Sequence, residues 1–149
     1  FIEPKIQIAH IYAAQGDTIA KSFFEEAISV EPDNYSLYYD YAMYLQENGF
    51  PTSALAYYDK LLEVMPNNPT FIYNQGYVYL VYLGENEKAM HCFDKVIELE
   101  PMSVNAWFNK GRTYEQMGDY INAKKIYQQI LKDNPDYQLA VDAINRISE

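Results

Sequence analysis

His10, His91 and Cys92 are the side chains in this 149-residue sequence best suited to proton transfer, nucleophilic attack or metal binding. His91 and Cys92 are adjacent. On a helix, neighbouring side chains diverge by ~100°, so the two cannot chelate one metal ion or form a thiolate–imidazole pair. His10 has no sequence neighbour to work with, and a structural role is expected for both histidines. A single cysteine excludes an internal disulfide and a thiolate metal cluster. It fits a reducing compartment, which favours the cytoplasm, although one buried thiol would survive elsewhere. No HExxH pair, calcium loop or phosphate-cradling glycine run is present. Asn34-Tyr35-Ser36 formally matches a glycosylation acceptor, but Asp33 and Asn34 read better as a turn and helix cap. No constellation supports an enzyme, and neither a cofactor nor a metal is expected.

Charge narrows the partners. Eleven Lys plus Arg face twenty-one Asp plus Glu, a net charge of -10 that disfavours nucleic acid and anionic membranes. Lys124-Lys125, with Lys132 on the same predicted helix, is the one adjacent basic pair and reads as a solvated face. Hydrophobic residues make up 49%, enough for a core. No apolar run approaches the ~18 residues needed to cross a bilayer, so direct membrane insertion is not expected. The sequence starts at Phe1 without a basic-then-apolar leader, as a chain processed or excised from something longer would.

The elements that must carry any binding surface are set by an internal repeat. Pro32, Pro66, Pro101 and Pro135 are spaced by 34, 35 and 34 residues. Twelve residues before each stands Ala20, Ala54, Ala89 or Ala123, and four residues after each alanine comes Phe24, Tyr58, Phe93 or Tyr127. Gly16, Gly49, Gly84 and Gly118 precede the alanines, and a small residue lies upstream again: Ala9, Ala42, Gly76 or Gly111. Three residues after that comes Tyr12, Leu45, Tyr79 or Tyr114. Each unit is therefore two helices of about a dozen residues, broken by glycine in the middle and proline at the end. The small residues, such as Ala42 and Ala54, let paired backbones approach, while Leu45 and Tyr58 fill the space beside them. Asn68 before Pro69 supplies a cap and a first-turn proline, and Ser103 and Asp136 can cap the helices that follow them. Short links force neighbouring helices antiparallel.

The fourth unit, with Trp107, Gly111, Tyr114, Gly118, Ala123, Tyr127 and Pro135, resembles the tetratricopeptide repeat. Lys110 departs from that family's usual leucine. The second unit resembles it through Tyr38, Ala42, Gly49, Ala54, Tyr58 and Pro66. The first is one residue short between Gly16 and Ala20 and has Lys5 in the aromatic place. The third has one extra residue between Gly76 and Gly84, with Ile72 in the aromatic place. The expected fold is all-α, a right-handed superhelical solenoid, as the resemblance implies. Four repeats are expected over residues 1–135, at about 1–33, 34–67, 68–102 and 103–135, followed by a capping helix in 136–149. That last segment alternates apolar Tyr137, Ala140, Val141, Ile144 and Ile147 with polar residues, as a terminal repeat needs.

Stacked first helices in this family line a concave groove that binds a ligand. The residues three before, one after and four after each small residue form one stripe. They are Ile6, His10, Ala13; Tyr39, Met43, Gln46; Tyr73, Tyr77, Leu80; and Phe108, Arg112, Glu115. The candidate binding residues are Tyr39, Met43, Tyr73, Tyr77, Phe108 and Arg112, with the amides of Asn74 and Asn109 placed to bond a ligand backbone. Such a surface suits an extended peptide or a short amphipathic helix. The cationic clamp that the family's chaperone-binding members use is incomplete here, with Tyr39, Asp40, Tyr73 and Phe108 at its positions. The expected function is a scaffold or adaptor for a partner protein. The alternative is a structural repeat module that self-associates through an N-terminal end carrying Phe1, Ile2, Ile6, Ile8 and Ile11.

Overall fold

The structure is a computed structural model and describes Gln7, Ile8, His10, Ile11 and residues 19–149. The expectations placed on Phe1, Ile2, Lys5, Ile6, Ala9, Tyr12, Ala13 and Gly16 lie outside the described residues. The helices are α1 (Ile19–Val30), α2 (Tyr35–Glu47), α3 (Pro51–Val64), α4 (Pro69–Tyr77), α5 (Asn86–Leu99), α6 (Val104–Gln116), α7 (Tyr120–Asp133) and α8 (Gln138–Ile147). Helix α4 runs directly into a π-helical turn, Val78–Leu83. Among the described residues the fold is all-α, without a strand. The chain divides into two compact units, Phe1–Pro66 and Asn67–Glu149.

In the first unit α2 packs on α3. Ala42, Leu45, Ala54 and Tyr58 are all 0% exposed, so the small pair sets the close approach and the larger pair fills its flanks. Phe24 of α1 stacks on Tyr41 of α2 with ring centroids 5.2 Å apart, and the Tyr41 hydroxyl donates to Glu25 at 2.7 Å. Tyr38 ties α2 to the preceding turn, its hydroxyl donating to the Pro32 carbonyl at 2.8 Å. Trp107 makes the equivalent bond in the second unit, Nε1 to the Pro101 carbonyl at 2.9 Å. The large aromatic of the repeat is thus a strap across the proline corner. Ile72, which has no donor, simply buries itself at 6% exposure.

In the second unit α4 and its π turn pack on α5, α5 on α6, α6 on α7, and α7 on α8. The extra residue between Gly76 and Gly84 is absorbed by the π turn. Where α2 and α6 end, the residue after the glycine donates back to Leu45 or Tyr114, five positions earlier. After Gly84 the same closure reaches Tyr79, six positions back, at 2.9 Å. Gly84 keeps the left-handed conformation, φ 65°, that ends the helix. Gln116 of α6 reaches this turn: its amide nitrogen donates to Leu80 O at 3.3 Å and to Asn86 Oδ1 at 2.8 Å.

Asn68 caps α4 by accepting from Thr70 N and Phe71 N, with Pro69 in the first turn, and Ser103 caps α6 by accepting from Ala106 N. Asp119 caps α7 through Asn122 N. Asp136 does not cap the last helix, which starts one residue later than its spacing suggests, with Tyr137 at the cap position and no side-chain cap bond. Helix α8 lays Ala140 and Ala143 on Ala123, Tyr127 and Ile130 and leaves Gln138, Asp142, Asn145 and Arg146 exposed.

Candidate functional site

The first-helix stripe resolves into two kinds of position. The residues four after the small residue turn inward. Gln46 is 4% exposed and accepts from the Tyr58 hydroxyl at 2.7 Å, and Glu115 accepts from the Tyr127 hydroxyl at 2.8 Å. In the third repeat Leu80 takes this place, 2% exposed, and packs with Phe93. Polar partners thus face tyrosine and an apolar partner faces phenylalanine. These positions serve the repeat's own second helix.

The other positions remain on the surface. In the first unit Tyr39 and Met43 are half-buried; Tyr39 leans on the Tyr58 ring at 6.5 Å, and the Met43 sulfur accepts from the Tyr58 hydroxyl at 3.2 Å. In the second unit Tyr73, Tyr77, Phe108 and Arg112 are half-buried. Tyr77 meets Tyr82 edge-on at 6.2 Å, and Phe108 sits between Tyr127 at 5.5 Å and Tyr137 at 5.7 Å. Tyr73 stands edge-on to Phe93 at 5.8 Å.

The two asparagines are placed differently from the sequence expectation. Asn74 is 9% and Asn109 3% exposed, too deep to serve a ligand backbone. Asn109 uses both ends of its amide inside the protein: Nδ2 donates to the Tyr73 hydroxyl at 2.7 Å, and Oδ1 accepts from Arg112 Nη1 at 3.1 Å. It is a positioning residue that fixes a phenol and a guanidinium on neighbouring repeats. Burial raises the Tyr73 hydroxyl above the usual tyrosine range, with the nearby Tyr77 adding to it and the Asn109 bond and Arg112 opposing it. This phenol stays neutral at physiological pH and can both accept and donate.

Tyr82 and Tyr137 were not among the sequence candidates. The extra residue before Gly84 was the signal for Tyr82, since it turns Val81 and Tyr82 outward to 40% and 41% exposure. Tyr137 reads in sequence as cap-helix core; only its contact with Phe108 shows that it borders this face.

At the far end of α6, Arg146 of α8 grips Glu115 through two bonds of 2.9 Å, Nε to Oε1 and Nη2 to Oε2. Arg112, Glu115, Gln116, Tyr120 and Arg146 line an open pocket of about 390 Å³. Among the described residues no group of three or more His, Cys, Asp or Glu could hold a metal ion, and no helix is long and apolar enough to cross a membrane. His91 is exposed and Cys92 buried.

A family model described as "Tetratricopeptide repeat" matches residues 104–143, and one described as "TPR repeat" matches residues 80–118. No curated protein matches the sequence. A solved tetratricopeptide repeat protein from Parabacteroides merdae is 24% identical with a TM-score of 0.82, over 98% of this chain and 63% of that one. The chain therefore spans less than two thirds of that relative's length. YrrB, described as a TPR protein with an unusual peptide-binding site, is 25% identical with a TM-score of 0.77, over 91% of this chain and 70% of that one. The second TPR domain of human RPAP3, solved with an HSP70 peptide, is 20% identical with a TM-score of 0.68, over 75% of this chain and 92% of that one. These likenesses establish the α-solenoid fold, and residues 80–143 of the chain match tetratricopeptide-repeat models.

Proposed function

We propose that the chain is a protein-interaction module that holds a partner's peptide or short amphipathic helix on the first-helix face of its second unit. Tyr73, Tyr77, Phe108 and Arg112 would carry the contact, with Asn109 holding Tyr73 and Arg112 in place. Tyr39 and Met43 would offer a similar apolar surface on the first unit. The observation that carries this reading is that Tyr77 and Phe108 stay half-buried on the surface, whereas the core aromatics Phe93 and Tyr127 are fully buried. Half-buried aromatics beside a cation are the residue types that dominate binding energy at interfaces. The peptide-binding descriptions of YrrB and the RPAP3 domain support the same reading.

Peptides selected from a display library against the intact chain supply the ligand for the test. Tyr77→Ala should weaken the titrated affinity by ~2 kcal/mol, with an unchanged circular dichroism spectrum. Tyr73→Ala is a less clean probe, because its ring contacts Phe93 and its hydroxyl holds Asn109. Full binding by the Tyr77 variant would move the site off this face. The second reading, self-association through the N-terminal end, draws on Ile8 and Ile11, which are 37% and 56% exposed. Light scattering at two protein concentrations tests it: a constant mass excludes it.

A further inference from the structure

Arg112 and Arg146 are the two arginines of the chain, and both line the pocket at the end of α6. Their charges are handled in opposite ways. Arg146 is satisfied by a bidentate pair with Glu115. Arg112 donates to the neutral amide of Asn109 and, among the described residues, has no carboxylate within ion-pair distance. Lys110, the other half-buried cation near α6, is paired with Asp94 at 2.6 Å. A half-buried guanidinium without an anion is unusual in a chain of net charge -10.

Glu115 is the obvious internal partner for Arg112. It lies three residues on, one turn along the same helix face, where oppositely charged side chains meet. It is drawn away instead, toward Tyr127 and Arg146. The Tyr127 bond alone does not require a charge there, since neutral Gln46 makes the same bond to Tyr58. The pairing with Arg146 therefore balances Glu115 and leaves Arg112 open.

We propose, building on the peptide-binding reading above, that Arg112 receives a side-chain carboxylate of the partner, and that Arg146 keeps that position vacant by restraining Glu115. The ligand is an acidic residue within an apolar stretch. Its carboxylate lies against Arg112, between Tyr73 on one side and Tyr120 on the other, and its flanking residues lie on the aromatic face. An internal side chain is favoured over a chain end because the pocket is open and Arg112, on its lining, is tied through Asn109 to Tyr73 of the aromatic face. Arg146 is a positioning residue here: it acts through Glu115.

With two arginines, the chain gives two arginine Nε–H signals in a nitrogen–proton correlation spectrum, and Arg146→Lys assigns them. The probes are the N-acetylated, C-amidated peptide Leu-Tyr-Glu-Tyr-Leu, its Gln counterpart, and the Gln peptide with a free carboxyl end. The Glu peptide should shift the Arg112 signal and bind about tenfold more tightly than the Gln peptide, as loss of a charge-assisted bond requires. Arg112→Gln should abolish that difference. Arg146→Ala should weaken the Glu peptide by releasing Glu115 onto Arg112, and adding Glu115→Gln should restore it, which a merely structural role of Arg146 would not produce. Equal binding of capped Glu and Gln peptides, still lost in Tyr77→Ala, would overturn this inference and spare the peptide-binding face. Binding recovered by the free-carboxyl Gln peptide would overturn the side-chain assignment, and no binding by any peptide would remove both readings.

Discussion

The Tyr73 hydroxyl and the Asn109 amide nitrogen lie 2.7 Å apart, although the residues are 36 positions apart in the chain. The bond links the first helices of consecutive repeats, and it passes orientation on to Arg112 through the other end of the same amide. One buried side chain therefore both joins the two repeats and orients Arg112.

Tyr73→Phe isolates that bond. The ring and its contact with Phe93 remain, but a buried amide N–H loses its acceptor, which should cost ~1–2 kcal/mol. Urea denaturation measures it, and a midpoint equal to the parent's would show that another acceptor takes over.

Gly111→Ala addresses a close approach of α6 to α7. A Cβ at this position would stand 2.5 Å from Tyr127 Cε1, on a ring that is 0% exposed and tethered to Glu115. The ring has nowhere to go, so the variant should lose ~1–3 kcal/mol. A melting temperature equal to the parent's would mean that α6 can shift away from α7.

Ala54→Leu makes the same argument in the first unit, where Ala54 is 0% exposed against Ala42 and Tyr58. Overpacking should cost ~1–3 kcal/mol, whereas Lys124→Ala on the exposed face of α7 should stay within ~0.5 kcal/mol. Equal melting of the two would refute the assigned pairing of α2 with α3.

Alkaline pH should unfold the protein through its buried tyrosines. Burial raises Tyr41 and Tyr127 far above the usual value of 10.0, with hydrogen bonds to Glu25 and Glu115 adding to it. The folded state therefore keeps protons that the unfolded chain gives up near pH 10, so stability is full below that pH and falls as pH rises above it. The urea midpoint should drop through this range, and Tyr127→Phe should flatten the drop while lowering stability at neutral pH. A midpoint independent of alkaline pH would contradict the burial of these hydroxyls.

The helical repeat was legible because its signals recur. Proline corners, small residues at close approaches and aromatics at fixed offsets each have one physical job, and four copies separate them from chance. The candidate site was only partly legible. Tyr77, Phe108 and Arg112 lie on the surface, but the same spacing rule also selected Gln46, Leu80 and Glu115, which face inward. A three-and-four spacing defines a stripe without saying where its edge passes beneath the next helix. Asn74 and Asn109 fall just past that edge. The π turn was invisible for another reason: every residue from Tyr77 to Leu83 is apolar or aromatic, so an α and a π course bury comparable side chains. Only the Gly84 spacing distinguishes them.

That turn makes the repeats non-interchangeable. Arrays of this type lend themselves to duplication and swapping, because each repeat meets only its neighbours. Deleting one residue between Leu80 and Gly84, to match the spacing of the other units, would rotate everything beyond the deletion by ~100°. Tyr82 would leave Tyr77, and the Leu80 carbonyl would return to the helix, leaving Gln116 without that acceptor. The inserted residue gives one module in the array an individual identity, to which Gln116 of the following repeat is fitted.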